Sequence, residues 1–138
     1  MARLAAVLDT NVLVSRTLTP HGTPARVVDA VLAGAVIPCY DRRILQEYRE
    51  VLSRARFGFA PDEIESLLAQ ILGNGLSVIA APVRASLPDE SDRPFAEAAV
   101  TAGAHLVTGN LTHYPGLDRA ISPVDFLRLI QEPEPSPR

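Results

Sequence analysis

The stretch Leu4-Ala5-Ala6-Val7-Leu8-Asp9-Thr10-Asn11 decides the fold, because an apolar run stops abruptly on polar residues. A run that is apolar at every position predicts a strand buried on both faces of a parallel sheet. Open α/β sheets place their sites at the carboxyl ends of the strands, so Asp9 is a candidate site residue. The alternative is that its side chain caps the following helix, as Asp often does.

Apolar periodicity along the chain alternates between strand-like runs and helix-like stripes. This alternation predicts an α/β fold, a three-layer α/β/α domain with a parallel sheet of four or five strands. The predicted strands cover residues 3–8, 35–39, 76–81 and 105–108, with a short fifth at 120–122. The predicted helices cover 11–17, 23–33, 41–55, 61–73, 92–102 and 123–130.

Helix ends carry their own local signals. Ser, Thr, Asp and Asn favour the N-cap, proline suits the first turn, and glycine often follows the last turn. The residues that match these rules are Asp41 as an N-cap, Pro24, Pro61 and Pro123 in first turns, and Gly34, Gly73 and Gly103 at helix ends.

Length and composition limit the class of protein. With 138 residues, 47% of them hydrophobic, the sequence predicts one domain over residues 1–131. Residues 132–138 alternate proline with charge and are expected to be a disordered tail. No apolar run reaches the length of a membrane span and no signal pattern opens the chain, so a cytoplasmic location is expected. The single Cys39 excludes an internal disulfide and a cysteine zinc site.

Charge bears on whether the chain contacts nucleic acid. The net charge is −3, and all 13 basic residues are Arg. An acidic balance argues against a generally basic nucleic-acid surface. The planar guanidinium of Arg nevertheless binds phosphate well, so a local patch stays open as an interpretation.

Two further acids lie on or beside the apolar faces of predicted helices. Glu47 falls at the shoulder of the apolar stripe of helix 41–55, although an ordinary flank residue would fall there too. Asp92 falls in the centre of the stripe formed by Phe95, Ala96 and Ala99. A buried carboxylate is costly unless a helix N-terminus or a cation neutralises it.

Right-handed connections bring Asp9, Glu47 and Asp92 to one edge of the sheet. Strand 105–108 delivers Thr108 and Asn110 to the same edge. Clustered carboxylates raise each other's pKa values unless a divalent cation lies among them. Oxygen ligands without a Cys or His cluster favour Mg²⁺ or Mn²⁺ over zinc.

Four segments, in this order and spacing, match a known family. They are Val7-Leu8-Asp9-Thr10-Asn11-Val12, Gln46-Glu47-Tyr48-Arg49-Glu50-Val51-Leu52, Pro88-Asp89-Glu90-Ser91-Asp92-Arg93-Pro94-Phe95 and Val107-Thr108-Gly109-Asn110. Over roughly residues 4–130 the chain resembles the PIN-domain nucleases, and among these the bacterial toxin components of toxin-antitoxin pairs, related to the VapC toxins.

This resemblance implies a Mg²⁺- or Mn²⁺-dependent endoribonuclease in which Asp9, Glu47 and Asp92 hold the metal. It also implies an RNA substrate, a cognate antitoxin and a homodimer, for which helices 41–55 and 61–73 are the expected contact. Many PIN domains carry a fourth Asp where this chain has Asn110, a catalytic candidate that brings no charge, so a second metal would be held more weakly.

Other residues are predicted to support the site or contact substrate. Asn11 and Ser15 lie near Asp9 in sequence, Thr108 ends a strand, and Asp89 matches a less regular acidic position of the family. His113 lies in the loop after Asn110 and either contacts phosphate, lies beside the metal site or is an ordinary surface residue. The candidate phosphate contacts are Arg16, Arg42, Arg43, Arg49 and Arg93, each of which could equally be solvated helix surface.

Two other functions compete with the nuclease. A phosphatase with an Asp-x-Asp nucleophile also uses Mg²⁺ and an α/β sheet, but here Asn11 replaces the second Asp and no Lys is present. A PIN-like domain that binds RNA or a partner without cutting is the other alternative, favoured by Asn110 and the acidic net charge.

Overall fold

A computed structural model describes residues 3–131 of the chain. Its strands are β1 Leu4–Leu8, β2 Val36–Tyr40, β3 Leu76–Ser77, β4 His105–Val107 and β5 Ala120–Ile121. They form one sheet in the order β3-β2-β1-β4-β5, and every neighbouring pair is parallel. The predicted parallel sheet and its fifth strand are confirmed.

Six α-helices connect and cover the strands. They are α1 Thr10–Leu18, α2 Thr23–Leu32, α3 Arg42–Leu52, α4 Pro61–Asn74, α5 Arg93–Ala102 and α6 Pro123–Gln131. Short 3-10 helices occupy Ala55–Phe57, Glu90–Asp92 and Leu111–His113. None of the helices within residues 3–131 is long and apolar enough to cross a membrane. The predicted disordered tail, residues 132–138, lies outside the described residues.

The central strand β1 is covered on both faces. Its residues Ala6, Val7 and Leu8 are buried, although successive side chains point to opposite faces of the sheet. Helix α5 packs against β1, β2 and β4, while α2 packs against β2 and contacts α1, α4 and α6. This layering makes the carboxyl end of β1 the place where a polar side chain can leave the core.

Strand β3 is shorter than predicted. The sequence predicted a strand over 76–81, but pairing ends with Tyr40 opposite Ser77. Beyond Ser77 one further hydrogen bond joins this segment to β2, in which the Val78 N–H donates to the Tyr40 carbonyl at 2.8 Å. Since the chain turns at Asp41 into α3, β3 has no neighbouring strand left to pair with.

Helix boundaries also differ from the predictions. Helix α3 ends at Leu52 and not at 55, because Arg54 is extended (φ −64°, ψ 132°) and starts a separate 3-10 turn. Asp92 precedes α5 instead of opening it, because the Asp89 side chain accepts from Ser91 N and closes its own turn over Glu90–Asp92. Asp41 caps α3 as predicted, its Oδ1 accepting from Ile44 N at 2.9 Å.

Glycine at the end of α4 provides a matched test of the packing. Gly73, predicted to end this helix, lies inside it, and a methyl group there would meet nothing within 4 Å. A Cβ on Gly75 would come within 2.5 Å of the Ile71 carbonyl oxygen and 2.7 Å of that of Pro38.

We expect Gly75→Ala to lower the free energy of unfolding by about 1–3 kcal/mol. Gly73→Ala should raise it by roughly 0.5–1 kcal/mol. Urea unfolding of both variants checks the pair, and equal effects would contradict the packing.

Candidate active site

Asp9 lies directly after β1 and is only 5% exposed. Its backbone N–H donates to the Val107 carbonyl at 2.9 Å, which ties it to the end of β4. Its Oδ2 accepts from the Thr108 hydroxyl at 2.8 Å, the Tyr114 hydroxyl at 3.2 Å and the Asn11 amide at 3.3 Å. Asp9 occupies the N-cap position of α1 without making a capping hydrogen bond. The helix-cap alternative is therefore wrong, and the carboxylate is held by Thr108 and Tyr114, which follow β4, and by Asn11 of α1.

Glu47 reaches the same region from α3. The buried residues Ile44, Tyr48 and Leu52 set the rotation of this helix, and Glu47 lies beside them, half-buried. The Thr10 hydroxyl, from the first turn of α1, donates to Glu47 Oε2. Glu47 is thereby held next to the residue that follows Asp9.

Asp92 comes from the third element of the site, the 3-10 turn before α5. Its side chain is 13% exposed, and its Oδ2 lies 3.0 Å from His113 Nδ1. The exposed Asp89 accepts from Ser91 N at 2.9 Å and Ser91 Oγ at 2.8 Å, so it orders the turn that presents Asp92. The Ser91 hydrogen bonds also hold the pKa of Asp89 below its usual range.

Burial and the charges of neighbouring acids act on the three candidate carboxylates. Burial is the main cause that raises the pKa of Asp9, of Glu47 and of Asp92. The charge of Asp92 further raises the pKa of Asp9, and the charges of both aspartates raise that of Glu47. Each carboxylate thus lies where it is desolvated and where at least one of its neighbours carries like charge.

The donor set fits a hard divalent cation, since three carboxylates from three elements offer oxygen ligands and excess negative charge. Within residues 3–131, however, no three His, Cys, Asp or Glu side chains already form a group that could hold a metal ion. A cation shared by Asp9, Glu47 and Asp92 therefore requires these side chains to close around it.

Residues 108–110 are fastened to the start of α1. Thr108 is fully buried, and its hydroxyl donates to Asp9 while accepting from Asn110 N at 3.0 Å. Asn11 Oδ1 accepts from Gly109 N at 3.2 Å. Asn110 is exposed at the rim, and its side chain makes no hydrogen bond within the described residues. The backbone of Asn110 is fixed beside Asp9, whereas its amide is left to solvent.

Comparison with known proteins identifies the fold and the family. The model of the PIN domain matches residues 5–112 of the sequence. The chain belongs to the PIN-domain family. PIN domains are generally nucleases, so membership supports hydrolysis of nucleic acid. A comparison with curated proteins gave no match.

A solved structure supports the fold of this PIN domain. The crystal structure of VapBC2 from Rickettsia felis, bound to a DNA fragment from their promoter, contains a similar chain with a TM-score of 0.57 and 16% sequence identity. The match covers 86% of this chain and 97% of that chain. At this identity the likeness concerns the fold.

Two of the five candidate arginines of this PIN domain are engaged elsewhere. Arg93 binds Glu90 at 2.5 Å and donates to the carbonyls of Val83 at 2.6 Å and Ala85 at 2.9 Å. Its guanidinium therefore holds the segment around Val83 and Ala85, which precedes the 3-10 turn that carries Asp92. Arg16 pairs with Asp29 at 3.4 Å, on the surface between α1 and α2.

The remaining candidate arginines lie on α3. Arg43 pairs with Asp41 at 2.7 Å and with the buried Glu97 at 2.8 Å, joining the start of α3 to α5. Arg49 pairs with Glu65 of α4 at 2.9 Å. Arg42 is exposed and has no ion pair among residues 3–131. Ser15 on α1 makes no side-chain hydrogen bond in the same part of the chain.

Two tyrosines were missed as site residues. The Tyr48 hydroxyl donates to the Leu8 carbonyl at 2.6 Å, and its ring packs 6.2 Å from that of Phe95, so it joins the elements that carry all three acids. Tyr114, which binds Asp9, is buried below the rim. A buried tyrosine needs a hydrogen-bond partner for its hydroxyl, and this requirement was the one sign in the sequence that these tyrosines contact polar groups. The sequence could not name that partner, because Tyr114 and Asp9 are 105 positions apart.

Proposed function

We propose that this PIN domain is a Mg²⁺- or Mn²⁺-dependent endoribonuclease that hydrolyses RNA phosphodiesters by in-line attack of water. The observation that carries the proposal is the grouping of three desolvated acids, Asp9, Glu47 and Asp92. Burial raises the pKa of each acid. The charge of Asp92 adds to the rise at Asp9, and the charges of both aspartates add to the rise at Glu47. Such a group is unfavourable by itself and becomes favourable around a divalent cation.

In this proposal the three acids are the cation ligands, and neighbouring side chains orient Asp9. Asp9, Glu47 and Asp92 hold the cation, and Asp9 keeps its orientation through Thr108 and Asn11. When bound, the cation supplies polarisation of the phosphate and a lower pKa for the attacking water. With Asn110 in place of a fourth acid, a second cation would be bound weakly, so one cation is proposed.

Substrate contacts are proposed at the rim of the site. Asn110 offers an amide that is exposed and has no partner in the described part of the chain. His113 is partly exposed and borders Asp92, so its ring can face a phosphate on the same side. Arg42 is the arginine of α3 whose guanidinium has no ion pair within residues 3–131. Ser15, Asp89, Arg16 and Arg93 are proposed to act on the shape of the site and not on the phosphate.

The VapBC2 neighbour, which is bound to a DNA fragment from its promoter, supports a proposal for the biological setting. We propose that this chain is the toxin of a toxin-antitoxin pair, acting in the cytoplasm on RNA and held inactive by a cognate antitoxin. A homodimer through α3 and α4 is part of the same proposal. These assignments rest on likeness of fold.

Metal-dependent cleavage of RNA by the purified protein tests the proposal. We expect fragments from a mixed-sequence single-stranded RNA in millimolar Mg²⁺ or Mn²⁺, and none in EDTA. Restoring the metal should restore cleavage, and a DNA of the same sequence is the matched control. Retention of intact RNA on the protein, with no fragments in either metal, would contradict the nuclease and favour a PIN-like binding domain.

A further inference from the structure

Tyr114 contacts Asp9 from a position that neither the sequence pattern nor the family match assigns. It follows the 3-10 helix Leu111–His113 and is 2% exposed. Its hydroxyl lies 3.2 Å from Asp9 Oδ2. The preceding residue, His113, lies with Nδ1 3.0 Å from Asp92 Oδ2. Tyr114 therefore binds Asp9 at the end of a turn that also contacts Asp92.

The Tyr114 hydroxyl remains a donor under ordinary conditions. Burial, followed by the charges of Asp9 and Asp92, raises the pKa of Tyr114 well above its usual value. A neutral donor near two carboxylates offsets their repulsion without adding charge of its own. Asn110 does not do this, because its side chain is exposed at the rim.

We propose that Tyr114 is a positioning residue whose hydroxyl holds Asp9 and offsets the repulsion between Asp9 and Asp92 before a cation binds. Three side-chain donors, from Tyr114, Thr108 and Asn11, all bind Oδ2 of Asp9, which leaves Oδ1 to the cation. The role in cation binding rests on the proposed nuclease function. The contact with Asp9 exists in the metal-free protein, and its coupling to Asp92 can be tested there.

The first experiment compares two conservative substitutions by calorimetry with Mn²⁺. Tyr114→Phe removes only the hydroxyl, and we expect it to weaken Mn²⁺ binding about tenfold, as loss of a hydrogen bond to a charged group would. Tyr40→Phe is the matched control, because Tyr40 is also buried but its hydroxyl donates to the Leu72 carbonyl at 3.4 Å and makes no hydrogen bond to Asp9, Glu47 or Asp92. Equal Mn²⁺ affinity in the Tyr114→Phe variant and the parent would overturn the role in cation binding.

The second experiment is a double-mutant cycle of Tyr114→Phe and Asp92→Asn, measured by urea unfolding in EDTA. If the hydroxyl offsets the repulsion between the aspartates, Tyr114→Phe should lower the urea midpoint of the parent at least twice as much as that of the Asp92→Asn variant. Equal decreases in the two backgrounds would overturn this role. A parent that binds no Mn²⁺ would refute the proposed nuclease, and the cycle in EDTA would still decide the position of Tyr114.

Discussion

Asp92→Asn should abolish RNA cleavage. Asp92 is one of three carboxylates proposed to hold the cation, and Asn keeps its shape and one acceptor for His113 while removing the charge. Loss of a residue that merely orients a metal ligand costs about 10–100-fold in metal affinity or activity, so loss of a ligand should exceed about 100-fold. Initial rates of RNA cleavage at fixed Mn²⁺ measure the effect.

Asp89→Asn is the matched control for this substitution. Asp89 lies three residues before Asp92, is exposed, and binds only the Ser91 groups of its own turn among the described residues. Asn keeps the Oδ1 that accepts from Ser91, so the turn that presents Asp92 stays ordered and the variant should keep most of the cleavage rate. Asp92→Asn should also be no less stable than the parent in EDTA, because it removes a like charge from beside Asp9. A large loss of stability in EDTA, or equal loss of cleavage in both variants, would assign Asp92 a structural role.

Millimolar Mg²⁺ or Mn²⁺ should raise the melting temperature markedly. A ligand that binds only the folded protein stabilises it by about 2.7 kcal/mol at 100 times its Kd. For a domain of this size that corresponds to roughly 10 °C. Sodium chloride at the same ionic strength is the control and should produce no comparable shift. An unmoved melting curve would remove the main support for a metal site.

The size of this stabilisation should depend on pH, with a sign that follows from the raised pKa values. In the folded protein the pKa values of Asp9 and Asp92 lie above the ordinary value of 3.8, and the pKa of Glu47 lies above 4.5. Between those values and the raised ones, the folded state binds more protons than the unfolded state. The contribution of these acids to stability therefore falls as the pH rises through that window.

A bound cation reverses that loss, because it needs the same carboxylates ionised. The increase in melting temperature on adding Mg²⁺ should thus be small at pH 4 and larger at pH 7. The increment is the quantity to compare, since acids with lowered pKa, such as Glu65 beside Arg49, change metal-free stability in the opposite sense. An increment that is equal at both pH values would contradict a site made of carboxylates.

Much of the fold was predictable from local sequence. The apolar run of β1 predicted a strand buried on both faces, and Asp41, Pro61 and Gly103 marked helix ends because each favours that backbone position. Right-handed connections then brought the ends of the strands to one edge. Asp9, Glu47 and Asp92 could be proposed as a group from these rules, since each follows from a nearby pattern.

What local patterns could not supply were contacts between distant segments. The end of β3 depended on where its neighbour β2 turned into α3, and Gly75 was constrained by the carbonyl of Pro38 from another strand. Arg93 could be proposed as a phosphate contact until its hydrogen bonds to Val83 and Ala85 were known.

The sequence by itself therefore determined the elements, their order and the acids at the edge of the sheet, because hydrophobic period and capping act over a few residues. The tertiary structure decided which hydroxyls hold those acids. Thr108 and Tyr114 reach Asp9 from 99 and 105 positions away. Such pairs depend on how the strands lie beside one another, and no local pattern along the chain encodes that arrangement.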